Sequence, residues 1–111
     1  MRTIKKPWGS EIWIAQTKKY IGKILIIKKG RRFSKQYHRI KDETLFCDKG
    51  KFFLELGTRK LIVKPGQAVR IKPGIIHRIE ARFGEVKIFE VSTPQLFDRV
   101  RIEDDYGRSN Q

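Results

Sequence analysis

The stretch GRRFSKQYHRIKDETLFCDKG, residues 30–50, sets a glutamine, a histidine and a glutamate at uneven intervals inside a basic, β-prone run. In an extended strand alternate side chains share a face, so Gln36 and His38 point the same way. Glu43 follows a short polar connection, Arg39 to Asp42, at the head of the next apolar run, from where it can return to the same inner face. His77, the only other histidine, comes just after the turn former Pro73-Gly74 and can approach from across a barrel. Two imidazole nitrogens, a carboxylate oxygen and an amide oxygen would hold a divalent ion that keeps positive charge and open positions for water or substrate.

Each residue also has a duller reading. A single histidine is more often solvent-facing or hydrogen-bonded than a ligand, Glu43 and its neighbour Asp42 can form a surface pair with Lys41, and Gln36 alone is undiagnostic. Only their joint placement points to a metal centre.

Outward from this stretch, short β-prone runs recur at 11–16, 21–28, 43–48, 51–56, 60–64, 68–71, 75–81 and 86–91, with almost no sustained 3.6-residue apolar repeat. Turn formers separate them: Lys28-Lys29-Gly30, Asp48-Lys49-Gly50, Pro65-Gly66 and Pro73-Gly74. An all-β barrel or sandwich follows. The tail QLFDRVRIEDDYGRSNQ suggests a last strand followed by an ordered segment or a short helix, with fraying over 107–111 as the alternative.

A chain of 111 residues suffices for one hydrophobic core, so residues 1–111 are expected to form a single domain with an N-terminal arm and a C-terminal tail packed on it. The apolar fraction of 39% is modest, so a homodimer that hides further apolar surface is expected. Twenty-six Lys and Arg against 12 Asp and Glu give a net charge of +14, suited to phosphates, nucleic acid or an acidic membrane surface. No finger pattern or RNA-binding aromatic motif accompanies it, so nucleic acid is not the expected partner. Cys47 is the only cysteine, which excludes an intrachain disulfide; in the run LFC it reads as a core filler. No secretory h-region or long apolar span is present, and a cytoplasmic location away from membranes is expected.

The opening stretch resembles the first cupin motif, with Gly30, Gln36, His38, Glu43 and Gly50 at the expected intervals; Gln36 stands where most cupins have histidine, a glutamine known from the sugar-phosphate isomerase branch. Gly66, Gly74 and His77 resemble the second motif, with Lys72 in place of its proline and Ala81 in place of its final asparagine. KPWG at 6–9, YIGK at 20–23, FSKQYH at 33–38, FEVSTP at 89–94 and RIEDDYGR at 101–108 resemble the cupin domain of type II mannose-6-phosphate isomerases, including the one fused to mannose-1-phosphate guanylyltransferases. No nucleotidyltransferase region is present, and Phe33 and Lys35 replace leucines common in that branch.

The resemblance implies a double-stranded β-helix, a jelly-roll barrel, that holds one divalent metal ion on Gln36, His38, Glu43 and His77. Zinc is first choice from the mixed histidine and carboxylate donors, with manganese, cobalt, nickel or iron as alternatives. It implies interconversion of mannose 6-phosphate and fructose 6-phosphate; the competing readings are an isomerase or epimerase acting on another sugar or nucleotide-sugar and a noncatalytic sugar-binding or regulatory cupin. Lys23, Arg101 and Arg108 are the family-matched cations for the substrate, with Arg108 toward the phosphate. Glu90, in the FEV segment, is a candidate proton carrier, as are Glu103, Asp104 and Asp105; turn formation or solvent-facing charge is the alternative for each. Trp8 and Trp13 suit the barrel wall or a subunit contact, and Tyr106 a tail anchor.

Overall fold

β-branched and aromatic residues at alternate positions favour pleated strands with one face withdrawn from water. The computed structural model, which describes residues 1–108, shows that outcome throughout. Among these residues there are eleven strands and no helix: β1 (Arg2–Lys6), β2 (Gly9–Gln16), β3 (Ile21–Ile27), β4 (Lys35–His38), β5 (Glu43–Lys49), β6 (Phe52–Leu56), β7 (Arg59–Val63), β8 (Ala68–Ile71), β9 (His77–Glu80), β10 (Val86–Ser92) and β11 (Arg99–Glu103). Among the described residues no helix is long and apolar enough to cross a membrane. The tail forms a strand and then a turn rather than a short helix, and the part of the fraying alternative over 109–111 lies outside the described residues.

The strands form two antiparallel sheets, ordered β1-β2-β3-β10-β5-β8 and β11-β4-β9-β6-β7. This is the double-stranded β-helix, an all-β architecture. Arg2–Lys6, at the N-terminus, is an edge strand paired with β2.

Along the inner rows, apolar residues give way to ionisable ones toward one end, with Ile21 of β3 an apolar residue beyond Lys23. On β3 Ile27 and Leu25 give way to Lys23; on β10 Val86 and Ile88 give way to Glu90 and Ser92; on β5 Cys47 and Leu45 give way to Glu43. Because Glu90 faces Lys23 on one side and Leu45 on the other, and Ser92 faces Glu43, the ionisable residues gather at one end of the barrel. The other end is apolar, closed by Phe52, Leu54 and Val63, and the core continues to Ile71, opposite Glu43, and Ile79, on the wall of the polar end. Each such side chain, fully buried, contributes on the order of 1.5–3 kcal/mol. Cys47 lies in this core, as its sequence context suggests. Trp8 packs there too, its ring centroid 4.3 Å from that of Phe33.

The two stretches that resemble cupin motifs meet directly. Gly30 donates its backbone N–H to Ala81 and Ala81 donates back to Arg31. Gly50 holds φ at +74°, and a Cβ there would stand 2.5 Å from the Glu85 carbonyl oxygen, so the turn after β5 accepts only glycine without a backbone shift.

Candidate metal centre

The inner face of β4 carries Gln36 and His38, both buried, and β9 begins with His77, the register partner of Gln36. His77 therefore comes from the strand next to Gln36 in the same sheet, rather than from across the barrel as its position in the sequence suggests. Glu43 makes the crossing, because it opens β5 in the other sheet. The three groups converge: each of His38, Glu43 and His77 offers a donor atom within 4.8 Å of the others. Glu43 Oε2 is 3.6 Å from His38 Nε2, and Oε1 is 3.8 Å from His77 Nε2.

The imidazoles are oriented from behind. His77 Nδ1–H donates to the Ile75 carbonyl at 2.9 Å, which fixes the tautomer and leaves Nε2 buried with no hydrogen-bond partner. His38 Nδ1 stands 3.5 Å from Asp98 Oδ1, without a hydrogen bond between them yet close enough to favour the proton on that nitrogen. Outer contacts of this kind turn Nε2 lone pairs toward a metal. Gln36 Oε1 accepts from the Ser34 hydroxyl at 2.6 Å, and its Nε2 lies 3.4 Å from His38 Nε2. A hydroxyl both donates and accepts, so Ser34 satisfies the amide in either orientation, and a half turn brings Oε1 toward the donors.

Charge also favours a cation. Burial first, then the charges of Lys41 and the neighbouring His77, push the His38 pKa down to about 4; burial is the main cause that lowers His77. Both rings are neutral near pH 7 and able to bind metal. Lys41 is one of the residues that sequence reasoning missed. Read there as surface, its ammonium is buried between two carboxylates, 2.9 Å from Glu90 and 3.3 Å from Glu43. Burial raises Glu90, but Lys41 and Lys23 outweigh it and hold the carboxyl below its usual range, with a hydrogen bond from Ser92 at 3.1 Å. Glu43 is pushed up to about 7 by burial and then by Glu90, against the pull of Lys41. One ammonium thus serves two carboxylates, and the charge on Glu43 is the one left under-compensated. The donor set fits a divalent ion.

The cavity around these donors has a volume of about 40 Å³, enough for an ion with a water or two. Lys23, Glu90 and Arg108 line it, as the sequence suggests; Arg101 does not. Arg101 lies opposite Gln36 on β11, and its pKa is lowered to about 10 by burial and then by Arg99 and Arg108. Lys6 and Arg99, not singled out in the sequence, also line the cavity. Lys23 is tied to Glu11 at 3.0 Å, and Arg108 to Asp104 at 2.8 Å. The other acidic candidates near the C-terminus face outward: Asp105 pairs with Arg32, and Glu103 lies 3.6 Å from Arg78. Tyr106 anchors the tail through a hydrogen bond to the Arg32 carbonyl.

Solved structures share the architecture. KdgF from Halomonas sp. superposes with a TM-score of 0.80 at 18% identity, covering 86% of this chain and 90% of its own. A conserved protein with a double-stranded β-helix domain from Klebsiella pneumoniae subsp. pneumoniae gives 0.73 at 15%, covering 92% and 85%. A sugar phosphate isomerase from a cupin superfamily, from Silicibacter pomeroyi, gives 0.70 at 15%, covering 78% and 59%. At such identities the likeness speaks for the fold alone. No curated protein sequence matches the chain. The family model described as mannose-6-phosphate isomerase C-terminal matches residues 1–108, the whole described barrel with its converging donors, and the chain belongs to that cupin family.

Proposed function

We propose that this cupin is a metal-dependent sugar-phosphate isomerase that interconverts mannose 6-phosphate and fructose 6-phosphate. The observation that carries this reading is the buried convergence of His38, His77 and Glu43, with the His77 ring held from behind by the Ile75 carbonyl, Asp98 beside His38 Nδ1, and Nε2 of His77 unsatisfied. Gln36 completes the donor set by turning its amide. A divalent ion held there, zinc by preference and otherwise manganese, cobalt, nickel or iron, would polarise the sugar oxygens at the reacting carbons.

The chain's own groups do the rest. The cavity admits little beyond the ion, so the sugar rests at its mouth, where Lys6, Lys23, Arg99 and Arg108 supply positive charge for a phosphate. Arg101, close enough to Arg99 and Arg108 to feel their charge, adds to that field. Glu90 sits at the inner wall as the candidate to move a proton, and Lys41 sets its charge. The reading extends to a cytoplasmic homodimer working in nucleotide-sugar or polysaccharide biosynthesis.

Conversion is assayed after chelation and after each ion is restored, with metal content measured on gently purified protein. Folded protein that retains metal but converts nothing rejects the reaction. Gln36→Ala, His38→Ala, Glu43→Ala and His77→Ala are each expected to lose near-stoichiometric metal; retention in all four overturns the centre.

One observation favours a noncatalytic sugar-binding cupin instead. Each carboxylate lining the cavity is held by a lysine, Glu11 by Lys23 and both Glu43 and Glu90 by Lys41, which leaves no carboxylate free as a base. Binding without turnover across a panel of sugar phosphates would select that reading.

A further inference from the structure

Beyond the donor cavity, toward the edge strand β1, lies a second chamber of about 310 Å³. Arg2, Lys6, Trp13, Lys23, Phe97 and Arg99 line it, and Glu11 is its one carboxylate. Lys23 already neutralises Glu11 at 3.0 Å. Among the described residues neither Lys6 nor Arg99 has an ion-pair partner, and both are partly withdrawn from water. Burial lowers the basicity of each; for Arg99 the neighbouring Arg108 adds to the effect. Two half-buried cations thus face one void whose single carboxylate, Glu11, is near enough to act on both but is already paired with Lys23. Both also line the donor cavity, so an anion held by them lies at the junction of the two spaces.

The far side of the chamber is aromatic. Trp13 Nε1–H donates to Glu11 at 2.6 Å, and the Lys23 ammonium lies 4.3 Å from the centroid of the indole, so the ring is fixed in place. Trp13 faces Lys23 across the β2–β3 pairing, next to an irregularity that re-aims the strand. Arg2, opposite Trp13 on the exposed edge strand, covers the same ring with its guanidinium at 4.9 Å, so a base that reaches the indole displaces this exposed side chain and can stack against its planar cation. Phe97 is 78% exposed on this side. A hexose phosphate would use the cations and leave this aromatic space empty.

We propose that the chamber binds a nucleoside diphosphate, free or as its sugar ester, with the phosphates on Lys6 and Arg99 and the base against Trp13 and Arg2. Phosphate charge answers the unpaired cations, and an aromatic base answers a rigid indole beside a guanidinium. None of these contacts requires an ion in the donor cavity, so the proposal stands or falls apart from the isomerase reading.

The test is titration calorimetry on chelator-treated protein at physiological salt, with GDP, UDP, GDP-mannose, inorganic pyrophosphate and mannose 6-phosphate. At least one nucleoside diphosphate is expected to bind about ten-fold or more tightly than pyrophosphate, the scale of a base stacked on an aromatic side chain. Trp13→Leu should reduce that ratio to within about two-fold while Trp13→Phe keeps most of it, and Arg99→Ala should weaken every anion. GDP-mannose tighter than GDP identifies the ester as the ligand; equal or weaker binding identifies the free nucleotide. Pyrophosphate binding as tightly as the nucleotides, or no nucleotide binding, overturns the proposal, as does an unchanged ratio in a Trp13→Leu protein that melts like the parent. If Trp13→Leu does not fold, Arg2→Ala and Phe97→Ala, at exposed positions, must lower the ratio several-fold instead. Binding of mannose 6-phosphate alone would refute the nucleotide site and leave the isomerase reading intact.

Discussion

Lys41→Met removes the single ammonium that separates two buried carboxylates. Glu43 and Glu90 are 5% and 6% exposed, and Lys41 itself is 8% exposed, so solvent screens little of the interaction. At 2.9 and 3.3 Å, and an effective dielectric of about 20, each contact carries a raw attraction on the order of 5 kcal/mol. Desolvation of the ions offsets much of this, and breaking such a buried set by deleting one partner costs about 3–5 kcal/mol. The loss should also depend on pH. Burial and Glu90 already raise Glu43 to about 7 against the pull of Lys41, so deleting Lys41 raises it further. A carboxyl whose folded pKa exceeds its unfolded value destabilises the fold above the unfolded value, by an amount that grows until pH passes the folded one. The deficit of Lys41→Met is therefore largest at pH 8 and shrinks toward pH 5, where a bound proton replaces the lost cation. Urea unfolding of chelator-treated protein between these limits measures it, with the slope m as a check on two-state behaviour. A loss below about 1 kcal/mol at pH 8, with m unchanged, would refute the claim that Lys41 is the buried counter-ion of this pair.

Asp98 Oδ2 accepts the backbone N–H groups of Ile40 and Lys41 at 2.8 and 2.7 Å, so Asp98→Ala should cost about 1–3 kcal/mol in urea unfolding. The same variant should bind metal about 10–100-fold more weakly in a competition titration, because His38 loses the group behind it. Asp104 accepts from the Arg108 guanidinium and backbone N–H, and these hold its pKa below the usual range. Its contribution, about 1–2 kcal/mol, is therefore complete above the unfolded pKa near about 4 and is lost as pH falls through the folded value. The stability gap between wild type and Asp104→Asn should therefore narrow as pH falls below about 4. Gly50→Ala meets the Glu85 carbonyl at 2.5 Å as well as an unfavourable φ, whereas Gly30→Ala at φ +81° meets nothing within 4 Å. Thermal unfolding should show Gly30→Ala costing about 1–2 kcal/mol and Gly50→Ala clearly more.

What the sequence disclosed depended on range. The runs 21–28, 43–48, 60–64 and 86–91 became β3, β5, β7 and β10 almost residue for residue, because alternation and turn formers are local signals. Gln36 and His38 share a face for the same reason. Lys41 was out of reach: within Lys41-Asp42-Glu43 it looks like a solvated corner, and only the pairing of β10 beside β5 brings Glu90 over it. Asp98 was hidden in the same way, since β11 pairs Arg99 with His38 and so carries the preceding residue behind the imidazole. Lys6 and Arg99 were two charges among many in a chain of net +14, and only the packing of sheet edges around a void sets them apart. Their lack of a carboxylate partner belongs to the three-dimensional arrangement alone.

The split of the donors between two layers has a mechanical consequence. Both imidazoles hang from the five-stranded sheet and the carboxylate from the six-stranded one, so an ion gripping all three acts as a rivet through the sandwich. Partial unzipping of either layer scatters the ligands, and ion affinity becomes a reporter of sheet-to-sheet cohesion. Loading should lift the melting temperature as free ion concentration rises above its dissociation constant, although no strand contact changes.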